Sequence, residues 1–163
     1  MKTYGVTGWK NSGKTGLMER LVADMSGRGL SVSTIKHAHH SFDVDYPGKD
    51  SHRHRVAGAQ EVLLASRLRF ALMHEIGSEQ EPSLDELMTK LTPVDIVLIE
   101  GYKTERHPKI EVHRSQTGQA LIAPNDATIR AIATNADITL DRPVFDLDDT
   151  RSISEFILAE VGL

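Results

Sequence analysis

The sequence lacks features that would each point to a particular class of protein. It contains no cysteine, which excludes disulfides, thiolate metal sites and cysteine nucleophiles. No apolar run approaches the roughly 20 residues that a membrane-spanning helix needs, and the first residues lead into a strand pattern without a signal peptide. We therefore expect a cytoplasmic protein with no membrane partner.

The sequence also has no excess of positive charge. Its formal net charge is −4 and its isoelectric point is about 6.0, which argues against a non-specific nucleic-acid binder. Its 163 residues, of which 39% are hydrophobic and 26% charged, suit one globular domain with a single substantial core. We therefore predict one domain over residues 1–163 and no nucleic-acid partner.

The most informative segment that is present reads GWKNSGKT at residues 8–15 and fits the phosphate-binding loop pattern G-x-x-x-x-G-K-[ST]. A strand-like segment at residues 3–7 precedes it. Leu17, Leu21 and Met25 follow it at the spacing of one helix face. A strand, a glycine-bearing turn and a helix N-terminus together form a polyphosphate site. The alternative is a chance match on an ordinary strand-loop-helix.

Four residues of this loop have predicted roles in binding a nucleotide. Gly8 and Gly13 allow unusual backbone angles and a close approach of phosphate. Lys14 would neutralise the outer phosphates during catalysis, and the Thr15 hydroxyl would ligate Mg²⁺. The turn amides and the helix N-terminus would add further positive potential.

The remaining pattern predicts an α/β fold of three layers, like that of P-loop NTPases, with a mixed, mainly parallel β-sheet flanked by helices. A capping box at Ser83 to Glu86 predicts a helix start, and the last helix is expected to begin at Ser152 or Ser154. Strands are predicted at residues 31–36, 61–65, 69–74, 94–99, 109–113, 129–134 and 143–145.

Glu100 is the predicted second half of the nucleotide site. It directly follows an apolar, β-branched run at residues 94–99, which is typical of a strand buried on both faces. The carboxyl ends of parallel strands face the ligand crevice, so Glu100 would meet Thr15 there, share the Mg²⁺ and act in catalysis. The alternative is a solvated acid at a strand end.

Two acidic residues elsewhere are candidates for nucleotide contacts. Asp45 lies in a long polar loop after the second strand and could hold a metal-bound water, or it could be a solvated loop residue. Asp137 follows the strand at residues 129–134 and could accept two N–H bonds from guanine. The segment at 134–137 resembles the [NT]-K-x-D guanine motif with Asn135 in place of lysine, but an Asp in an ordinary turn is nearly as plausible.

Histidines are numerous, and two groups of them stand out: His37, His39 and His40, and then His52 and His54. Imidazole is the commonest nitrogen ligand of metals, so a metal site is conceivable. No metal-binding spacing of known mechanism is present, however. We favour polar residues around an anionic ligand pocket.

Five segments together resemble the family of molybdopterin-guanine dinucleotide biosynthesis protein B, MobB. The most specific are H-x-H-H, D-x-D-x-P-G-K-D-S and E-G-[YF]-K. In order along the chain, the five are residues 8–15, 35–40, 43–51, 57–59 and 99–103.

The resemblance implies a GTP-binding protein with weak, Mg²⁺-dependent GTPase activity in molybdenum cofactor biosynthesis. It implies a MobA-like nucleotidyltransferase as partner, a homodimer formed through an extended sheet, and molybdopterin or its guanine dinucleotide as a bound pterin. The family's nucleotide-binding positions fall on Gly8, Lys10, Asn11, Ser12, Gly13, Lys14, Thr15 and Glu100.

Two alternatives remain open at this point. A small-molecule kinase could use the same loop, and a pure adapter could bind nucleotide without needing hydrolysis. Four lysines could form a basic rim for a phosphorylated pterin or a partner, or could be ordinary surface residues; they are Lys10, Lys36, Lys49 and Lys103.

Overall fold

The computed structural model describes residues 1–38 and 42–163. Contacts divide these residues into two compact units. The larger comprises Met1–Ala38 with Thr92–Leu163, and residues 42–91 belong to the smaller. The helices and strands in chain order are β1 (Lys2–Thr7), α1 (Lys14–Gly27), β2 (Val32–Lys36), α2 (Asp50–Val56), β3 (Glu61–Ala65), β4 (Phe70–His74), α3 (Leu84–Met88), β5 (Ile96–Glu100), β6 (Lys109–His113), β7 (Ile129–Thr134), β8 (Val144–Asp146) and α4 (Thr150–Val161).

The larger unit is built on a six-stranded sheet with the order β2-β5-β1-β6-β7-β8. Every pairing in this sheet is parallel, and the antiparallel component of the expected mixed sheet is a separate hairpin of β3 and β4. The mainly parallel α/β fold is therefore confirmed. Because the strands run in one direction, the loops after β1, β5, β6 and β7 emerge at the same edge.

The core explains why these segments fold as they do. All five residues of β5 are buried, as its continuous apolar run predicts. Leu17, Leu21 and Met25 of α1 share one apolar cluster with Ile153 and Ile157 of α4. Both helices thus bury one face on the sheet and against each other, which fixes the start of α1 relative to β1.

The last helix corrects one predicted boundary. It begins at Thr150, because the Asp149 carboxylate caps it by accepting a hydrogen bond from the Ser152 amide. A carboxylate at this position also suits the positive end of the helix dipole. Ser152 and Ser154 therefore lie inside the helix that they were expected to start.

The smaller unit contains α2, α3 and the β3–β4 hairpin, in which Leu63 lies opposite Leu72. The capping box is present as predicted, with Ser83 and Glu86 each accepting a hydrogen bond from the other's backbone amide. Among the residues that the structure describes, no helix combines the length and apolar character that crossing a membrane requires.

Candidate nucleotide-binding site

The loop between β1 and α1 has a backbone that requires glycine. Gly8 adopts a φ of 139°, and a Cβ added there would lie 2.3 Å from the carbonyl oxygen of Val112 on β6. The loop therefore packs directly on the neighbouring strand. Gly13 adopts a φ of 101° and precedes α1 without a capping side chain, so no side chain occupies the first amides of the helix, which an anion could bind.

Lys14 folds back over this loop. Its ammonium donates to the carbonyl oxygens of Gly8 at 3.0 Å and Trp9 at 2.7 Å. Burial lowers the pKa of Lys14; the Glu100 carboxylate opposes this shift, and the positive charge of Lys103 reinforces it. The ammonium therefore lies against the first half of the loop, where it would reach a phosphate bound there.

Two buried hydroxyls lie at and just before the loop. The hydroxyls of Ser12 and Thr7 are buried, with no hydrogen-bond partner among the described residues. Buried polar groups of this kind call for an explanation. Thr15, at the start of α1, is exposed, so its hydroxyl is accessible. Lys10 and Asn11 in the loop are exposed as well. This donor set fits a phosphate chain with Mg²⁺ on the Thr15 oxygen.

Glu100 ends β5 and is aligned in register with Val6, two residues before the loop begins. It is only 8% exposed, and its carboxylate pairs with the Lys36 ammonium at 3.3 Å. The structure thus places Glu100 beside the loop, with the positive charges of Lys36 and Lys14 near its carboxylate. The turn that follows it is strained, because Tyr102 adopts a φ of 47°, an uncommon angle for a residue with a side chain.

One cationic residue at the site has no sequence motif to reveal it. Arg114 follows β6, and its Nε atom lies 2.9 Å from the position that a Cβ on Gly13 would occupy. Its guanidinium therefore rests on the phosphate loop. The only sequence clue was a charged residue after a predicted strand, which becomes informative once β6 is known to lie beside β1.

Trp9 connects the loop to the segment after β6. Its indole Nε1 donates to the Ala120 carbonyl oxygen at 2.7 Å, and the Lys103 ammonium lies 4.2 Å from the centre of its ring. Cation–π contact of this kind holds the ring in place. Lys103, one of the four lysines predicted to form a basic rim, therefore contacts the loop. Of the others, Lys36 pairs with Glu100, and Lys49 belongs to the smaller unit.

Two residues of the segment predicted to bind guanine, Asp137 and Asn135, have different surroundings. Asp137 is exposed beyond the carboxyl end of β7, the edge at which the phosphate loop also lies. Asn135 instead accepts a hydrogen bond from the Ser115 amide at 3.1 Å and donates to the Gln116 side chain at 2.8 Å. The side-chain amide of Asn135, which stands where the motif has lysine, therefore holds Ser115 and Gln116 in the segment after β6.

Asp45 belongs to the smaller unit, where it is nearly buried. Its Oδ1 accepts a hydrogen bond from the Arg55 guanidinium at 2.8 Å, and that guanidinium also reaches Asp43 and Glu75. Hydrogen bonding to Asp45 raises the pKa of Arg55 above its already high value. The other Asp45 oxygen is buried without a partner among the described residues. Its predicted nucleotide contact stays a prediction.

The histidine groups are only partly described. His39 and His40 lie outside the described residues, and the ring of His37 packs 4.9 Å from that of Tyr102. His52 and His54 lie on α2. Within residues 1–38 and 42–163, no group of three or more His, Asp or Glu side chains is arranged to hold a metal ion.

Comparison with known proteins identifies the family. The model of the family described as molybdopterin guanine dinucleotide synthesis protein B, MobB, matches residues 3–135. The chain belongs to the MobB family. The matched range includes the phosphate loop, Glu100 and the segment after β6, so these parts of the site lie within the MobB portion of the chain.

Individual MobB relatives match nearly the whole chain. A molybdopterin-guanine dinucleotide biosynthesis adapter protein of Haemophilus influenzae is 41% identical over 155 residues, covering 94% of this chain and 85% of that protein. The protein of the same name from Escherichia coli is 36% identical, covering 92% and 87%. The crystal structure of a MobB homologue from Bacillus stearothermophilus has a TM-score of 0.75 at 31% identity and covers 99% of each chain.

Proposed function

We propose that this protein is a GTP-binding adapter in the biosynthesis of molybdopterin guanine dinucleotide. The observation that carries the proposal is the placement of Lys14 over the loop of residues 8–13, with Glu100 at the neighbouring strand end. The loop amides and Lys14 would bind the phosphates, and Thr15 and Glu100 would hold Mg²⁺. The relatives named as adapter proteins supply the pathway.

Hydrolysis of GTP at this site would be slow. Lys14 would stabilise the charge that develops on the outer phosphate, and bound Mg²⁺ would neutralise further charge there. Arg114 rests on the loop, but the sequence carries no recognisable motif for a glutamine that orients the attacking water, and Gln116 near the loop already accepts a hydrogen bond from Asn135. We therefore expect an intrinsic rate below about one per second, which single-turnover hydrolysis would measure.

Equilibrium titration with Mg²⁺-GTP and Mg²⁺-ATP tests the proposal. Lys14→Ala should weaken GTP binding by at least about tenfold, because a charge-assisted phosphate contact is lost. The matched control is Lys90→Ala, an exposed lysine of the smaller unit, which should bind as the wild type does. If Lys14→Ala binds GTP as tightly as Lys90→Ala, the loop is not the nucleotide site.

Guanine selectivity forms a separate part of the proposal. The Asp137 carboxylate would accept two N–H bonds from guanine, a pattern that adenine does not offer. GTP should therefore bind more tightly than ATP, and Asp137→Ala should remove the difference. Equal affinities in the wild-type protein would reject this assignment while leaving the phosphate site intact.

A second candidate is an adapter that binds nucleotide only structurally. The names of the relatives support it as well, because they describe adapters rather than enzymes. In either case the partner would be a MobA-like nucleotidyltransferase in the cytoplasm, with molybdopterin or its guanine dinucleotide as the shared ligand. If Lys14→Ala loses GTP binding but still supports cofactor maturation in a strain that lacks the protein, the structural adapter is correct.

Homodimer formation through the hairpin completes the proposal. One face of the β3–β4 hairpin is exposed and apolar: Leu63 is 60% exposed, Phe70 74% and Leu72 50%. The register places Leu63 opposite Leu72 and Phe70 opposite Ala65, so these side chains form one continuous patch. Two-stranded sheets with exposed apolar faces are stabilised by further packing, which a second copy would provide.

A further inference from the structure

Beside the phosphate loop lies a cavity of about 740 Å³, a size typical of small-molecule sites. Its lining comes from the first half of the loop, residues 9–11, and from Arg114, Gln116, Thr117 and Gln119 after β6. All of these residues belong to the larger unit. The phosphate loop therefore forms one wall of a second, larger space.

Hydrogen bonds from β6, from the segment after β7 and from Trp9 fix the segments that line this cavity. On β6, the Glu111 carboxylate accepts hydrogen bonds from the amides of Ile122 and Ala123. On the β7 side, Asn135 bonds the Ser115 amide and the Gln116 side chain. Trp9 ties the loop to Ala120. A lining fixed by its own hydrogen bonds binds a ligand with less ordering cost.

The lining chemistry indicates the class of ligand. The described residues that line the cavity carry two cationic groups, Lys10 and Arg114, and no carboxylate. Asn11, Gln116 and Gln119 add amides that both donate and accept hydrogen bonds, and Trp9 adds one aromatic ring. Cations suit a phosphate, while several amides suit a planar ring with alternating donors and acceptors.

The cavity lies at the outer-phosphate end of the proposed nucleotide. Lys14, which would contact the outer phosphates, points to the carbonyl oxygen of Trp9, and Trp9 lines the cavity. The cavity therefore borders the proposed phosphate site, and Lys10 and Asn11 belong both to the loop and to the cavity lining. We expect a molecule in the cavity to sit next to the terminal phosphate, and competition with a GTP analogue tests whether the two places are distinct.

We propose that this cavity binds a phosphate monoester of a planar, hydrogen-bonding heterocycle, the class that includes molybdopterin, together with the nucleotide. The inference rests on the proposed function, because the neighbouring phosphate loop is taken to hold GTP. It assigns a location to the pterin ligand: Arg114 and Lys10 would bind the phosphate, and the Gln116 and Gln119 amides would face the ring.

Fluorescence gives a local readout, because Trp9 is the single tryptophan of the chain. A monophosphate of 6-hydroxymethylpterin would be titrated with and without a saturating, non-hydrolysable Mg²⁺-GTP analogue. We expect saturable quenching of Trp9 in both cases. Inorganic phosphate and unphosphorylated 6-hydroxymethylpterin, as separate arms, should each bind at least tenfold more weakly.

Variants localise the binding. Arg114→Gln and Gln119→Leu should each weaken binding of the pterin monophosphate at least tenfold, and Gln119→Leu should bind the GTP analogue as the wild type does. The matched controls are Arg67→Gln and Gln80→Leu, exposed residues of the smaller unit, which should bind like the wild type.

Three results would overturn the proposal: absence of saturable quenching, unchanged binding by Gln119→Leu, or simple competition by the GTP analogue, which would put the monoester in the phosphate loop. If the GTP analogue itself fails to bind while the pterin monophosphate binds and depends on Gln119, the nucleotide proposal fails and the cavity assignment stands.

Discussion

His107 should make the stability of the fold depend on pH in the mildly acidic range. Its ring precedes β6 and packs on β1, where its Nε2 lies 2.6 Å from the position of a Cβ added to Gly5. Both ring nitrogens are buried without a partner among the described residues. Burial, reinforced by the Lys109 charge and opposed by Asp126, lowers the pKa of His107 from 6.5 to about 4.

The size of the effect follows from this pKa difference. The unfolded chain binds a proton below its ordinary pKa of 6.5, and the folded chain only near pH 4. Stability is therefore complete at neutral pH and is lost as the pH falls through this interval. At about pH 5 the loss amounts to ~2 kcal/mol relative to about pH 7.5.

Urea unfolding followed by circular dichroism at the two pH values measures this loss. His107→Leu removes the titrating ring, so its stability should fall by about 2 kcal/mol less than that of the wild type over the same interval. His54→Leu, at an exposed position on α2, should keep the wild-type dependence. Parallel profiles for His107→Leu and the wild type would refute the reasoning, because they would show that His107 protonates freely in the folded protein.

Three further changes test the phosphate loop, the segment after β6 and the proposed dimer, respectively. Gly8→Ala should cost about 2–4 kcal/mol in urea unfolding and abolish GTP binding, because its Cβ would lie against Val112; unchanged stability would contradict the loop geometry. Glu111→Gln should lower the free energy of unfolding by about 1–2 kcal/mol, because it weakens the bonds to the Ile122 and Ala123 amides. It should also shift Trp9 emission, because Trp9 bonds to Ala120 in the same segment; an unchanged emission would contradict this link between Glu111 and Trp9. Leu63→Lys should convert a dimer to a monomer in light scattering, whereas Lys90→Ala should not.

The sequence predicted the parts of the site that are local in the chain. The loop at residues 8–15 and the buried strand at Glu100 each have a pattern that one segment carries alone. The loop lies between β1 and α1 as expected, and the strand predicted at residues 94–99 forms as Ile96–Glu100, with Glu100 as its last residue. The Ser83 capping box is equally local. In each case a short spacing specifies backbone geometry without information about distant neighbours.

The remaining features depend on which strands are neighbours. Arg114 and Gln119 approach the phosphate loop only because β6 lies beside β1, and strand order cannot be read from a single sequence. The pairing of Asp45 with Arg55 likewise depends on how a loop meets a helix. The start of α4 was wrong for a different reason, because Asp149 offered a capping carboxylate that competed with the serines.

The central claim is that Lys14 and the loop of residues 8–13 bind the phosphates of GTP. A crystal structure with Mg²⁺ and a non-hydrolysable GTP analogue tests it most directly. We predict that the Lys14 ammonium leaves the carbonyl oxygens of Gly8 and Trp9 for the outer phosphates, with Mg²⁺ between Thr15 and Glu100. Nucleotide bound elsewhere, with Lys14 still on those two carbonyl oxygens, would contradict the account.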